Sequence, residues 1–302
     1  MPDIGSSSRN WAFASSLAGC SLWGLSAVAS QFVFNTYSLP PLGLVAIRMP
    51  VAGLILFAIF RSARPRARLG AFLAFSVAGL WLVQYTYLLT IASSNAATAT
   101  LFQFVSLPMI AAFEILARRT RATAVGIAAV ALATLGTAEL AAGASNGTLA
   151  LIISPLALVA GLVSAVAAAY YTIASKSLLK VYGSMRVATW GFLFGSLFAL
   201  PAGYLPLSRY SVPPAAGGTG ELILLLAFIL VFGTITSFLL YFKGLERISP
   251  TEAGISAAME PITAAIVSFF VLHVVLTPFQ YLGGILIIGA VAIIIVRGRL
   301  AF

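Results

Sequence analysis

Long apolar stretches, separated by short polar breaks, follow one another along the whole chain. Each stretch holds about 20 residues, and a helix of that length crosses a hydrocarbon core of roughly 30 Å. The strict alternation of apolar and polar residues that marks the strands of a membrane barrel is missing, so the pattern predicts helices. We predict ten membrane-spanning helices, at residues 11–34, 41–60, 69–91, 95–117, 122–141, 150–176, 185–206, 221–243, 249–271 and 278–297.

The composition agrees with this pattern. Only 8% of the residues are charged and 61% are hydrophobic, whereas about 25% of the residues of a soluble domain are charged. The chain is therefore predicted to be an all-α polytopic membrane protein whose principal partner is the lipid bilayer. The longest predicted segment outside the membrane, residues 206–220, is rich in proline and glycine, which is typical of a surface loop.

The net charge of +10 could indicate a nucleic-acid partner, but the positions of the basic residues argue against it. Alternate loops hold nearly all of them, and only Arg209 falls in a loop on the other side of the ten-helix arrangement. By the positive-inside rule, both termini are predicted to face the cytoplasm. The basic residues on that side are Arg9, Arg61, Arg64, Arg66, Arg68, Arg118, Arg119, Arg121, Lys176, Lys180, Arg186, Lys243, Arg247, Arg297 and Arg299.

The two halves of the chain share a faint repeat. In the first and sixth predicted helices, "GLSAVASQ" from Gly24 aligns with "AYYTIASK" from Ala169 at an offset of 145. Because each half holds five predicted helices, an odd number, two similar halves must lie in the membrane with opposite orientation. The third and eighth helices match at Gly79 with Gly233 and at Tyr87 with Tyr241, both at an offset of 154. The fourth and ninth helices match at Pro108 with Pro261, at an offset of 153.

This repeat predicts the domain organisation. We expect a cytoplasmic N-terminal tail at residues 1–10, a first five-helix repeat at 11–145 and a second, inverted five-helix repeat at 146–302. Inverted repeats allow alternating access, in which the halves exchange conformations around a site near the midplane.

Three segments and one arginine resemble the sequence pattern of the drug/metabolite transporter superfamily. They are "SLWGLSAV" in the first predicted helix, Arg48 early in the second, "GLERISPTEAG" entering the ninth and "AAMEPITAAI" within it. The closest resemblance is to the EamA-type ten-helix branch, which includes bacterial inner-membrane exporters of amino acids and other metabolites. One departure is Leu107, which stands where the second half has Glu260.

The resemblance implies a secondary transporter of the bacterial inner membrane that exports a small-molecule substrate, with neutral or aromatic amino acids expected first. Drugs, nucleosides and other metabolites are alternatives within the same fold. No nucleotide-binding P-loop is present, so the energy would come from the substrate gradient or from protons. We expect a monomer or a weak homodimer.

Enzymatic and metal chemistry find little support. An intramembrane lipid-modifying enzyme would need convergent acids or a nucleophile with its base, but Asp3 is the only aspartate and His273 the only histidine. Cys20 is the only cysteine, so no intramolecular disulfide can form. We therefore expect no cofactor, no bound metal and no enzymatic activity. A channel is a further alternative, but it would need a continuous polar pore.

Glu260 is the most informative polar residue. It follows Ser249 by eleven residues, about 16 Å along a helix, which places it near the midplane. A carboxylate there costs roughly 2.5–3.5 kcal/mol, so Glu260 should face protein or a cavity, take a partner or hold a proton. Pro261 withholds an N–H and is expected to leave a carbonyl near Ala257 without an intrahelical partner. Such a helix suits either a binding site or a structural knot.

Arg48 lies seven residues beyond Pro41, about 10 Å into the second predicted helix. A guanidinium cannot discard its charge, so it needs an acceptor: Glu260, exposed carbonyls or the carboxylate of a substrate. We interpret Arg48 as a structural or gating anchor, together with the bends expected at Pro108 and Pro261. A cation and an anion at neighbouring depths would nonetheless suit a zwitterion.

Aromatic and amide side chains complete the candidate lining of a substrate cavity. In the third predicted helix they fall at i, i+3 and i+4, which puts them on one face. For any single residue, interhelical packing is the better explanation, and only their convergence on several helices favours a binding role. The candidates are Trp81, Gln84, Tyr85, Gln103, Tyr171, Phe238 and Tyr241.

Two short motifs predict helix starts. Ser249, Pro250 and Glu252 form a capping box with proline at the first helical position. Thr277 and Gln280 form the same box before the tenth helix. We expect all of these residues to be structural.

Overall fold

The computed structural model describes residues 6–117, 124, 128, 131–132, 135–136, 139, 142–145, 148–151, 153–213 and 218–298. Helices dominate this part of the chain, and one short hairpin of antiparallel strands pairs Ala142 with Leu151. The helices are α1 (Ser6–Tyr37), α2 (Pro41–Phe60), α3 (Leu69–Ser93), α4 (Ala96–Phe104), α5 (Ser106–Ala117), α6 (Pro155–Ser208), α7 (Thr219–Leu245), α8 (Pro250–Ser256), α9 (Met259–Leu272) and α10 (Pro278–Gly298), and the strands are β1 (Ala142–Ser145) and β2 (Thr148–Leu151).

Six segments of the described chain are long and apolar enough to cross a membrane. Most of the predicted fifth helix, 122–141, lies outside the described residues. Large side chains such as Leu224 and Phe270 are exposed on the surface, as expected where a helix faces lipid. The six segments are Arg9–Tyr37, Pro41–Phe60, Leu69–Ser93, Pro155–Ser208, Thr219–Leu245 and Glu252–Leu272.

Helix α6 is broken at Gly183. Its 54 residues would extend about 80 Å if straight, more than twice the thickness of a hydrocarbon core. Gly183 has a φ of 73° and a ψ of 164°, so α6 consists of two arms, 155–182 and 184–208. The sequence predicted a helix from residue 150, but β2 occupies the start of that range. The helix begins at Pro155, because Pro155 suits its first position and the Ser154 hydroxyl accepts a hydrogen bond from the Ala157 N–H at 3.1 Å.

We expect Gly183→Ala to lower the free energy of unfolding by about 1–3 kcal/mol, because only glycine adopts this backbone conformation without strain. Thermal unfolding of the purified protein in detergent measures the loss. Gly289→Ala is the matched control, since it lies in α10 with no atom within 4 Å of an added Cβ. Equal stability of the two variants would contradict the explanation.

The capping boxes are confirmed. The Ser249 N–H donates to Glu252 Oε2 at 2.8 Å, and the Glu252 N–H donates to Ser249 Oγ at 3.1 Å. Thr277 and Gln280 exchange the same two bonds, at 3.0 and 3.3 Å. Glu252 also forms an ion pair with Arg9 at the start of α1. The paired carboxylate therefore ties the N-terminal end of the first half to the second half.

Both halves carry the same irregularities in their third and fourth helices. A π-helical segment interrupts α3 at Phe75–Trp81 and α7 at Val231–Thr236. Val105 separates α4 from α5, three residues before Pro108, and residues 257–258 separate α8 from α9, three to four residues before Pro261. Because a π segment and a broken helix are both uncommon, their recurrence at equivalent positions supports the sequence repeat.

The contacts between the halves follow the same repeat. An added Cβ on Gly79 of α3 would lie 3.3 Å from the Tyr171 Cα of α6, and one on Gly233 of α7 would overlap the Ser26 side chain of α1. Tyr171 and Ser26 are 145 residues apart, the offset predicted for these helices. The third helix of each half therefore packs closely against the first helix of the other half.

Candidate functional site

Two small chambers lie inside the bundle. The larger, the Arg48 chamber, has a volume of about 50 Å³, and the smaller, the Tyr241 chamber, about 30 Å³. A water molecule needs about 10–15 Å³ of such volume, so the two chambers together have room for about five to eight waters. The Arg48 chamber is lined by Ser26, Ser30, Arg48, Gln84, Tyr87 and Phe238 among others. The Tyr241 chamber is lined by Thr100, Ser106, Ile110, Thr172, Tyr241 and Gly254 among others.

Four side chains form a septum, because they line both chambers. Each comes from a different helix: Trp23 from α1, Gln103 from α4, Tyr171 from α6 and Glu260 from α9. Two of the helices belong to each half of the chain. Two of the four septum side chains, Trp23 and Tyr171, are aromatic, and the Trp23 ring lies 4.8 Å from the ring of Phe238, which lines the Arg48 chamber.

Glu260 lies at the start of α9, directly after the break at residues 257–258, and only 6% of its surface is exposed. The tight packing of α1 positions it, since an added Cβ on Gly24 would come within 2.6 Å of the Glu260 carbonyl oxygen. The expectation of a free carbonyl at Ala257 is wrong. The chain turns at the break, and the Glu260 N–H donates to the Ala257 carbonyl oxygen at 3.0 Å. Within the described residues, the Glu260 carboxylate forms no salt bridge.

Arg48 is equally buried, with 6% of its surface exposed, and it lies in α2 two residues before Pro50. Its Nε has no hydrogen-bond partner, and among the described residues it forms no salt bridge. Of the three acceptors considered from the sequence, neither Glu260 nor a backbone carbonyl is bonded to it in the described structure. Its side chain lines the Arg48 chamber.

Unpaired polar atoms are concentrated around the Arg48 chamber. In the described part of the chain, eleven buried side-chain nitrogen and oxygen atoms lack a hydrogen-bond partner, and seven of them belong to residues that line this chamber. Buried polar groups are nearly always paired in proteins, since each unpaired group costs about 1–3 kcal/mol. The seven atoms are Trp23 Nε1, Arg48 Nε, Gln84 Nε2 and Oε1, Tyr87 OH, Gln103 Oε1 and Tyr171 OH.

Most of the side chains predicted to line a cavity lie at these chambers. Gln84, Gln103, Tyr171, Phe238 and Glu260 line the Arg48 chamber, and Tyr241 lines the neighbouring one.

Trp81 and Tyr85 line neither chamber, although they share α3 with Gln84. The Trp81 ring stacks on Tyr85 at 6.0 Å and contacts Phe198 of α6 at 6.2 Å. The face of α3 that reaches the Arg48 chamber is instead formed by Val83, Gln84, Tyr87 and Leu88. Trp81, the last residue of the π segment, packs instead against Phe198 of α6, and Tyr85 packs against Trp81.

Pro108 and Pro261 are both buried, and neither lines a chamber. Bends were predicted at both prolines. In the structure, the helix is broken three to four residues before each of them.

Seven polar lining residues were not predicted from the sequence: Trp23, Ser26, Ser30 and Tyr87 at the Arg48 chamber, and Thr100, Ser106 and Thr172 at the Tyr241 chamber. A signal for two of them existed in the repeat. Ser26 aligns with Tyr171, and Tyr87 aligns with Tyr241, and both of those partners were candidates.

A helical bundle of two related halves that crosses a membrane and encloses chambers with polar and apolar lining residues between the halves is the architecture of a membrane transporter. The model of the EamA-like transporter family matches the chain twice, at residues 10–141 and 155–296. The chain belongs to the EamA-like transporter family, and it is an integral protein of the inner membrane.

Individual relatives agree with this assignment. The chain is 36% identical over 286 residues to the uncharacterized inner membrane transporter YicL of Salmonella typhimurium, covering 92% of this chain and 93% of the relative. It is 24% identical over 232 residues to the uncharacterized transporter YetK of Bacillus subtilis, covering 76% and 66%. A solved crystal structure matches with a TM-score of 0.65 at 18% identity, covering 98% of this chain and 99% of the other, which shows the likeness of fold.

Proposed function

We propose that this transporter is a secondary carrier that exports small metabolites, with neutral or aromatic amino acids as the first candidates, by alternating access. The observation that carries the proposal is the set of seven unpaired polar atoms around one chamber, where Arg48 and Glu260 also lie without charged partners in the described structure. These groups have no hydrogen-bond partner within the protein, so they are available to bind a polar ligand that displaces the water of the chamber.

The topology that we propose has ten membrane-spanning helices and cytoplasmic termini. Helices α1, α2, α3 and α7 each supply one crossing, and α6 supplies two, one for each arm. The pairs α4–α5 and α8–α9 each supply one broken crossing, α10 supplies another, and the predicted helix at 122–141 completes the count. The basic residues of alternate loops support the orientation. The exchanged contacts of Gly79 and Gly233 support an inverted relation of the halves.

Alternating access requires the septum to open, since chambers that hold a few waters have no room for a metabolite. Two septum residues lie close to a helix break: Gln103 precedes the break at Val105 by two residues, and Glu260 follows the break at 257–258 by two. A change of angle at either break would move a septum side chain. Because the breaks are repeat-related, the two halves can open in turn.

The charges of the site favour a zwitterion. Arg48 can take the carboxylate of a substrate and Glu260 its ammonium group, and the bidentate geometry of a guanidinium suits a carboxylate. Trp23, Tyr171 and Phe238 add aromatic faces, which suit an apolar or aromatic side chain. The same faces also support flat ligands such as nucleosides as the second candidates.

Counterflow in proteoliposomes tests the proposal. We expect vesicles preloaded with unlabelled L-phenylalanine to accumulate labelled L-phenylalanine, with saturation, because a carrier must exchange its ligand at one site. Phenethylamine, which lacks the carboxylate, and 3-phenylpropionate, which lacks the ammonium group, should compete at least tenfold more weakly, since each loses one charged partner. Preloaded uridine is the parallel assay for the second candidates. Uptake without saturation or counterflow would contradict a carrier.

A further inference from the structure

Residues 61–68 join α2 to α3, and we call them the arginine loop. Every second or third residue of the loop is an arginine, and all four arginine side chains are exposed. No aspartate or glutamate occurs in residues 4–113, and in the described part of the chain none of the four arginines forms a salt bridge. The loop therefore presents four positive charges that no carboxylate of the described structure neutralises. The arginines are Arg61, Arg64, Arg66 and Arg68.

Two aromatic side chains of α6 hold the arginine loop in place. The Tyr182 hydroxyl donates a hydrogen bond to the Ala67 carbonyl oxygen, and the Trp190 Nε1–H donates to the Ser62 carbonyl oxygen at 3.0 Å. Pro65, between these two contacts, is buried. Because the loop is fixed near both ends and packed at its centre, its arginines project from a defined backbone conformation.

The arginine loop lies at a surface of the membrane. It joins Pro41–Phe60 to Leu69–Ser93, and each of these segments is long and apolar enough to cross a membrane. Leu54 and Ile59, in the last two turns of α2 before the loop, are mostly exposed, as expected for side chains that contact acyl chains. A phospholipid that packs along this part of α2 therefore has its headgroup at the level of the arginines.

The chemistry of the loop suits a phosphate. A guanidinium group can form two parallel hydrogen bonds with phosphate oxygens, whereas an ammonium group acts as a point charge. All four basic residues of the loop are arginines, and the loop has no lysine. Clusters of about four to eight basic residues directly beside a membrane-spanning helix are typical of sites that bind anionic lipids.

We propose that the arginine loop is a binding site for the phosphodiester headgroup of an anionic phospholipid. The arginines hold the phosphate oxygens, and the exposed apolar side chains at the end of α2 contact the acyl chains. A lipid with two phosphodiesters, such as cardiolipin, engages more of the four guanidinium groups than a lipid with one, such as phosphatidylglycerol. The proposal is independent of the proposed function, because the loop lines neither chamber.

Thermal unfolding of the delipidated protein in detergent tests the class of ligand. We expect cardiolipin to raise Tm by about 2 °C or more, because a ligand that binds only the folded state stabilises it. Phosphatidylglycerol should raise Tm less, and phosphatidylcholine, which has no net charge, should leave Tm unchanged. Inorganic phosphate at the same concentration should also leave Tm unchanged, since it has no acyl chains. Equal stabilisation by phosphatidylcholine or by inorganic phosphate would contradict an anionic-lipid site.

A double substitution tests whether the charges of the loop bind the lipid. Arg64→Gln combined with Arg66→Gln should weaken cardiolipin binding by about tenfold or more, because two charged hydrogen-bonding groups are lost. Titration of the rise in Tm with cardiolipin measures the change. Without lipid, Tm should equal that of the wild type, since both side chains are exposed and form no salt bridge in the described structure.

The matched control removes two positive charges elsewhere on the same face of the protein. Lys243 and Arg247 are exposed at the end of α7, and Glu246 between them accepts a hydrogen bond from the Ser184 N–H. Ser184 and Tyr182 flank the break of α6, so both sets of charges lie near that break. Lys243→Gln combined with Arg247→Gln should leave cardiolipin binding unchanged. Equal losses in the two double variants would show a nonspecific attraction to a positive surface and would overturn the proposal.

Tyr182→Phe tests the contribution of the held conformation. It removes the hydroxyl that binds the Ala67 carbonyl oxygen but keeps every arginine, so the loop loses more conformational freedom when it binds a lipid. We expect cardiolipin binding to weaken by about three- to tenfold. Tyr204→Phe is the control, since Tyr204 is exposed near the opposite end of the second arm of α6. Wild-type binding by Tyr182→Phe would contradict a site that depends on the folded loop.

Discussion

Glu260→Gln is expected to abolish the response of transport to an imposed pH gradient. If Glu260 carries the coupling proton, the ligand and the proton compete for one carboxylate, and an amide of the same shape cannot exchange a proton. In proteoliposomes, accumulation of L-phenylalanine by the variant should fall to the level measured without a gradient. The protein should remain folded, because an uncharged amide in this buried position costs less than a carboxylate without a cationic partner.

Glu252→Gln is the matched control. Glu252 lies near the start of the same broken crossing, but it is committed to the capping box with Ser249 and to the ion pair with Arg9. A glutamine can keep the capping bond. We therefore expect this variant to respond to the gradient as the wild type does. A Glu260→Gln variant that still responds to the pH gradient would exclude Glu260 as the proton carrier.

Arg48→Met should produce a stable protein that binds carboxylates more weakly than the wild type does. Methionine replaces a buried guanidinium that has no charged partner in the described structure with an apolar side chain that fits a similar space, so Tm should be equal or higher. The affinity for L-phenylalanine should fall by roughly 10- to 150-fold, which corresponds to the loss of a charged hydrogen bond worth about 1.5–3 kcal/mol.

Two comparisons separate this role from a structural anchor. Phenethylamine should bind to Arg48→Met as it does to the wild type, because it has no carboxylate for the guanidinium to hold. Arg209→Met, in the exposed turn after α6, controls for the loss of one positive charge. A Tm lowered by several degrees, together with equal losses for both probes, would show that Arg48 anchors the fold.

The burial of the charged groups could be predicted from the sequence, whereas their pairing could not. Counting residues from Ser249 and Pro41 predicted that Glu260 and Arg48 lie well inside apolar helices, since a helix has a constant rise, and both side chains are buried. Whether the two groups meet depends on how α2 and α9 pack, and in the structure they line one chamber without a salt bridge. The carbonyl at Ala257 was mispredicted for a similar reason, because the turn before α9 redirects the Glu260 N–H onto it.

The prediction of which side chains share a helix face had the same limit. Trp81, Gln84 and Tyr85 were placed on one face by their spacing, but only Gln84 lines a chamber. A π segment that ends at Trp81 changes the register of α3, and Phe198 offers the Trp81 ring a packing surface, while Tyr85 stacks on Trp81. The sequence pattern of one helix predicts neither the π segment nor the packing surface, because both depend on neighbouring helices.

By itself, the sequence determined the membrane class, the repeat offsets and the two capping boxes, since these depend on local composition and on contacts between residues close in the chain. The tertiary structure alone decided which polar atoms stay unpaired. Tyr87 and Tyr241 look alike in the sequence, but the Tyr241 hydroxyl lies 3.1 Å from the Thr172 Oγ1, whereas the Tyr87 hydroxyl interacts with Glu260 and Arg48, because different helices bring these groups to the two tyrosines. Such pairings depend on how the helices of the two halves pack together, and helix packing is a property of the folded bundle.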